Sequence, residues 1–293
     1  MTPLLDEPTL VRLRRLRLAA EKVRGGALRG ERRSHQLGQG LEFGAHRPYT
    51  HGDDLRRVDW NVYGRLDQLF LKLFETPGQL RLILALDDSP TLDFGENNKA
   101  VAARRVLAAM GVIGVATAER VALARFGSPQ LQSFEGGNSE SRLIEAAAAL
   151  GLSPSPQQPS APLMEALATR GRDTVLIIAS DLQRHDGVLN LLRQARRHGV
   201  RAFVIAVSAR EELDPTLDGF TRLQPICHDN QKLRIDDKLL AAYREEVTAY
   251  RRAAAHAVRE LSAAIIEVDS ADAVEPLAME LMRAGGLAPA PGA

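Results

Sequence analysis

From Leu80 onward the chain alternates short, unbroken apolar runs with longer helical patterns, and that alternation constrains the fold more than any other feature. The runs "LRLILALD", "RVALARF", "DTVLIIASD", "VRAFVIAVS" and "AAIIEVDS" are too continuously apolar for strands with one wet face. They read as strands buried on both faces. Helical patterns lie between and after them, at residues 98–119, 139–150, 163–169, 188–198, 236–261 and 272–283. Strands separated by helices predict an α/β fold, a doubly wound, mainly parallel sheet with helices on both faces. The short "QLQSF" reads as an antiparallel partner of "RVALARF".

The chain before Leu80 has a different texture. "GLEFGAHRPY" and "QLFLKLFE" are strand-like, with a charged, aromatic-rich loop between them. Residues 35–79 are therefore expected to form a β-rich extension of an α/β domain at 80–284. Residues 1–34 read as a basic helical arm, with a helix from Thr9 to Arg24. The tail 285–293 reads as disordered. The arm's Arg-rich face suits a solvated helix surface, or salt-dependent docking on a membrane or nucleic acid. A formal net charge of +1 gives no further argument for nucleic acid. Cys227 is the only cysteine, so no disulfide forms within the chain. No sequence partner supports Cys227 as a nucleophile. No apolar run reaches the roughly 20 residues of a membrane span, and Arg interrupts every leader-like core, so the expected location is cytoplasmic. Neither Gly-x-Gly-x-x-Gly after a strand nor Gly-Lys-Ser/Thr is present, which removes support for a phosphate cradle. The long helix near the end carries Tyr243 and Tyr250 seven residues apart, expected on its buried side.

In sheets of this kind, ligands bind outside the carboxyl ends of the strands. Two strands end there in an acid, Asp87 and Asp181. In "DDSPTLD", Asp87, Ser89 and Thr91 occupy alternate positions, so an extended backbone points all three the same way. One carboxylate and two hydroxyls are hard oxygen ligands, suited to Mg²⁺, Mn²⁺ or Ca²⁺ rather than zinc, and Asp181 adds a second carboxylate; Mg²⁺ or Mn²⁺ is the expected ion. A competing reading makes Ser89, Thr91 or Asp93 a cap for the next helix, with Asp88 favouring its dipole. The loop resembles the metal-ion-dependent adhesion site of von Willebrand factor A-like domains. That resemblance implies a further hydroxyl from a loop between the two acidic strands. Ser160, just before a helix, is the candidate, and Pro90 departs from the pattern.

A second constellation spans "GQGLEFGAHRPYTHGDDLRRVDWNVYGR". It resembles the signature of the bacterial family called domain of unknown function 58. The matching residues are Gly38, Gly40, Glu42, Phe43, Arg47, Tyr49, Gly52, Asp53, Asp54, Arg56, Asp59, Trp60 and Arg65. The resemblance implies a von Willebrand factor A-like domain after this segment. It also implies a non-enzymatic partnership with a MoxR-type AAA+ ATPase in assembly or activation of other proteins. Physically, Arg47, Arg56 and Arg65 beside Asp53, Asp54 and Asp59 suit an Arg–carboxylate clasp, with Tyr49 and Trp60 anchored by burial. The alternative is a metal-dependent hydrolase using the His51–Asp54 region, with His46 and Asp59 nearby.

Overall fold

The computed structural model describes residues 3–15, 19–20, 37–48, 59–66, 68–75, 81–116, 120–135, 139–155, 157–168, 174–215, 222–223, 233–234, 237–284 and 287–288. The chain divides into two compact units, one of Val23–Gln79 and one of Met1–Lys22 with Leu80–Ala293.

The larger unit opens with α1 (Glu7–Arg15) and β1 (Ala19–Ala20). The smaller unit supplies β2 (Leu37–Pro48), α2 (Trp60–Leu66) and β3 (Phe70–Glu75). The larger unit resumes with β4 (Arg81–Leu86), a 3-10 turn at Pro90–Leu92, α3 (Lys99–Ala116), β5 (Arg120–Arg125) and β6 (Gln132–Phe134). Then come α4 (Ser139–Ala148), α5 (Ala161–Ala168), β7 (Thr174–Ser180), α6 (Asp186–Arg197), β8 (Arg201–Ser208) and α7 (Arg210–Leu213). Two short strands, β9 (Arg222–Leu223) and β10 (Leu233–Arg234), precede α8 (Asp237–Glu260). The chain closes with β11 (Ala264–Asp269), α9 (Val274–Ala284) and β12 (Leu287–Ala288).

Among the described residues, six strands form the main sheet in the order β11-β8-β7-β4-β5-β6. All pairs are parallel except β5–β6, the antiparallel edge that "QLQSF" led us to expect. Alternation along β4 shows why its sequence has no polar position. Leu82, Leu84 and Leu86 enter a core with residues of α1, α3, α4 and α9. Ile83 and Ala85 point the other way, into a core with residues of α5, α6 and α8. The expected architecture is thus found: a mostly parallel sheet with helices on both faces. Helix α3 is apolar almost all round because the sheet, α1, α4 and α9 surround it. Its Gly111 lets α4 approach closely, since a Cβ there would lie 2.6 Å from a methyl of Leu143.

The N-terminal arm departs from expectation. Helix α1 covers Glu7–Arg15, with residues 16–18 and 21–36 outside the described part. Leu5, Leu10 and Leu13 join the core of the larger unit. Two of the arginines are engaged within the chain, Arg14 with Glu140 and Arg12 with Glu275. At the other end, Leu287–Ala288, read as part of a disordered tail, pairs antiparallel with Ala19–Ala20. Backbone pairing of this kind leaves little trace in a small-residue sequence.

In the smaller unit, β2 and β3 form an antiparallel ladder with register shifts between Leu37 and Glu42 and between Phe43 and Ala45. A helix, α2, lies where the sequence suggested only a loop. Asp59 stands just before α2 and accepts a hydrogen bond from the Val62 N–H (3.4 Å) at its Oδ1. That is the chemistry of a helix N-cap, a signal present in "VDWNVYGR".

Candidate functional site at the carboxyl ends of the sheet

Strand β4 continues to β5 on one side, and the chain later returns to place β7 on the other. The carboxyl ends of β4 and β7 therefore flank a topological switch point, the usual ligand position in such sheets. The Asp87 N–H bonds to Ala179 O (2.9 Å), so the two strand ends stay paired to the edge of this crevice.

Asp87 is buried, and both its oxygens accept hydrogen bonds. Ser180 Oγ donates to Oδ2 (2.6 Å), and the Ser89 N–H donates to Oδ1 (3.1 Å). Ser180 Oγ in turn accepts the Leu182 N–H at 2.9 Å. Burial pushes the Asp87 carboxyl up to about 7, with Asp181 and Asp88 adding repulsion and the Ser180 and Ser89 hydrogen bonds opposing. The hydroxyls of Ser89 and Thr91 lie 2.9 Å apart, within one hydrogen bond. The loop thus joins Asp87 to the Ser89 N–H and the Ser89 hydroxyl to that of Thr91, through a 3-10 turn at Pro90–Leu92 rather than the extended backbone expected.

The helix-cap reading of the loop is not what forms. Helix α3 begins at Lys99, and Asn98 Oδ1 receives the Val101 N–H at 3.2 Å. Asp93 contributes at one remove, accepting from Asn98 Nδ2 at 2.7 Å. Asp88 turns away from the helix and pairs with Arg125 (2.5 Å) while accepting the Gly127 N–H (3.2 Å).

Asp181 has a partner that sequence reasoning missed. Lys99 Nζ lies 2.9 Å from Asp181 Oδ2 and 2.5 Å from Glu212 Oε1. The Lys99 side chain is 0% exposed and that of Asp181 1%. The ammonium also stands 5.7 Å from the centre of the Phe94 ring. Glu212, in α7, further accepts Gln183 Nε2 (2.9 Å), and its Oε2 accepts the Ala209 N–H (3.3 Å). One signal in the sequence pointed here: a lysine opening an otherwise Ala- and Val-rich helix, against the helix dipole.

The neighbouring loops are tied in as well. Leu182 adopts φ 56°, a left-handed conformation rare for a branched side chain. Its carbonyl and that of Gln183 accept from Tyr250 Oη at 2.9 and 2.7 Å. Tyr243 Oη donates to Glu212 O at 3.0 Å. Both tyrosines are half-exposed rather than buried, and their hydroxyls pin the loops to α8. Gly95, at φ 92°, lets residues 93–98 lie against the start of α7, where a Cβ would meet Ala209 Cβ at 2.7 Å.

This donor set does not fit a divalent ion held as the adhesion-type pattern implies. Asp181 is already committed to an ammonium, and its Oδ1 accepts the Gln183 N–H at 3.2 Å. Ser160 donates its N–H to Phe126 O (2.9 Å), and its buried hydroxyl has no hydrogen-bond partner, so that atom, unlike the Asp181 oxygens, is left open to a ligand. Among the described residues, no three His, Cys, Asp or Glu side chains are grouped to hold a metal.

Of the signature residues, Tyr49, Gly52, Asp53, Asp54 and Arg56 lie outside the described part, as do His51 and Cys227. Gly38, Gly40, Glu42, Phe43, His46 and Arg47 fall on β2, and Arg65 on α2. Asp59 is buried at the start of α2. Trp60, expected to anchor by burial, is 61% exposed and stacks edge-on with Tyr63, ring centres 6.1 Å apart.

Residues 45–257 match the model of the family described as "Protein of unknown function DUF58". The chain belongs to this family. Curated relatives include the uncharacterized proteins Rv1480 of Mycobacterium tuberculosis and Mb1516 of Mycobacterium bovis. Each is 36% identical over 92 residues, 31% of this chain and 29% of the relative. The matched stretch thus spans under a third of those relatives' length. Among solved structures, the chain is similar to BatB from Bacteroides thetaiotaomicron. That likeness has a TM-score of 0.41 and 15% identity, over 71% of this chain and 99% of the other. It is also similar to an aerotolerance-related membrane protein from Bacteroides fragilis, with TM-score 0.36 and 12% identity, over 62% of this chain and 98% of the other. At these scores the likeness carries no functional argument. No helix among the described residues is long and apolar enough to cross a membrane.

Proposed function

We propose that this member of the DUF58 family is a non-enzymatic interaction protein whose larger unit is von Willebrand factor A-like and docks a partner on the carboxyl-end loops of its sheet. The observation that carries this reading is the bonded crown of loops at the switch point. Residues after β4, β7 and β8 are held to one another through Lys99, Glu212, Gln183 and Tyr250. Their tips stay exposed at Glu96, Asn97, Gln183, Arg184, Arg210 and Glu211. A surface pre-organised in this way loses little conformational freedom on binding.

The family resemblance supports a MoxR-type AAA+ ATPase as the partner, acting in assembly or activation of other proteins, in the cytoplasm. Exposed Trp60 on the smaller unit supports a second contact, since exposed aromatic residues recur as binding anchors. The test is biolayer interferometry of the full chain against the MoxR-type ATPase of the same genome. Binding is expected, and Arg184→Glu on the crown should weaken it by at least about tenfold. Arg142→Glu, on α4, should leave it unchanged. Equal affinity for wild type and Arg184→Glu would remove the crown from the interface.

A further inference from the structure

We infer that the ammonium of Lys99 is the built-in cation of the carboxyl-end loops and takes the place of a divalent ion there. The position of Lys99 is costly in three respects. It is fully buried, it opens a helix whose dipole repels a cation, and it is a long side chain held in one arrangement. Each of these is offset by the same two groups, Asp181 on the β7 loop and Glu212 on α7. The Phe94 ring adds a favourable face. Lys99 therefore links three segments that are distant in sequence and closes the crown from beneath.

The same contacts leave little for a metal. Mg²⁺ needs oxygen ligands at about 2.0–2.1 Å in near-octahedral array, one or two of them carboxylates. Asp181 Oδ2 already has Nζ at 2.9 Å, and Asp181 Oδ1 has the Gln183 N–H. A dication there would meet the buried ammonium of Lys99. Asp87 accepts from Ser180 and Ser89, and the hydroxyls of Ser89 and Thr91 share one hydrogen bond. Partner recognition then proceeds without a metal bridging to a partner carboxylate. This inference stands apart from the ATPase partnership and is tested on the chain alone, because an ATPase needs Mg²⁺ for its own nucleotide.

The experiment is calorimetric titration of the full chain with MgCl₂ and with MnCl₂, beside thermal melts with and without MnCl₂. Wild type should give no saturable heat up to about 10 mM, beyond the weak end of protein divalent sites, and no shift in Tm. Lys99→Met strands the buried Asp181 carboxylate and the partly exposed Glu212 carboxylate, so its Tm should fall by roughly 10 °C, and Mn²⁺ should restore part of the loss. Stoichiometric binding by wild type that Asp87→Ala abolishes would overturn the inference. So would a Lys99→Met protein that melts like wild type. Should Lys99→Met fail to fold, the wild-type titration alone decides.

Discussion

At the residue scale, the site is governed by where buried charge finds a partner. Asp181 has Lys99, and Asp88 has Arg125. Asp87 has two hydrogen-bond donors, while the other acids of the site raise its pKa rather than lower it. Its carboxyl is raised to about 7, against about 4 in an unfolded chain. Folding therefore takes up a proton between those values, and stability falls as pH rises through that window. The shift corresponds to something on the order of 4 kcal/mol between full protonation and full ionisation. Denaturant unfolding should show stability declining from pH 4.5 to pH 7.5. In Asp87→Asn that decline should be markedly shallower, and an unchanged slope would assign the effect to other groups.

The residue pattern also explains what was legible at the site. Ser89 keeps the extended backbone that the alternation supposes, whereas Thr91 lies in the 3-10 turn Pro90–Leu92, which the alternation did not anticipate. Asp181 could be read because it ends an apolar strand. Lys99 could not be tied to them, because nothing local reveals that α3 starts beneath the β7 loop. Glu212 on α7 and Tyr250 on α8 join through contacts to the distant β7 loop, which no periodicity encodes.

At the scale of elements, apolar continuity revealed the five parallel strands of the main sheet, and most helix bounds fell within two or three residues of those expected. The helices of the larger unit with clear apolar periodicity were the easiest. Helix α2 was missed because its seven residues carry little periodicity, and only the cap at Asp59 marked it. Helix α3 depends on two local devices. Asn98 holds its first turn, and Asn98→Ala should cost about 1 kcal/mol in urea unfolding. Gly111 admits Leu143 of α4, and Gly111→Ala should destabilise by roughly 1–3 kcal/mol through overpacking. A neutral Gly111→Ala would mean that α3 and α4 part without loss.

At the scale of the whole molecule, the order β11-β8-β7-β4-β5-β6 matters most. It sets two acidic strand ends side by side at the switch point and lets α7 and α8 bond the loops that follow. Strand order was not readable from the sequence, since every strand of a doubly wound sheet looks much alike. The smaller unit contributes an exposed aromatic pair, Trp60 and Tyr63. Trp60→Ala should weaken ATPase binding by about tenfold or more while leaving the melting curve unchanged. Loss of binding together with loss of stability would instead make Trp60 structural.

The most direct test of the carboxyl-end crown as the docking surface is hydrogen–deuterium exchange of the full chain with and without the MoxR-type ATPase. The account predicts slowed exchange in residues 93–98, 181–185 and 209–214 on binding. Protection confined to other segments, with these three unchanged in a complex that demonstrably forms, would contradict it.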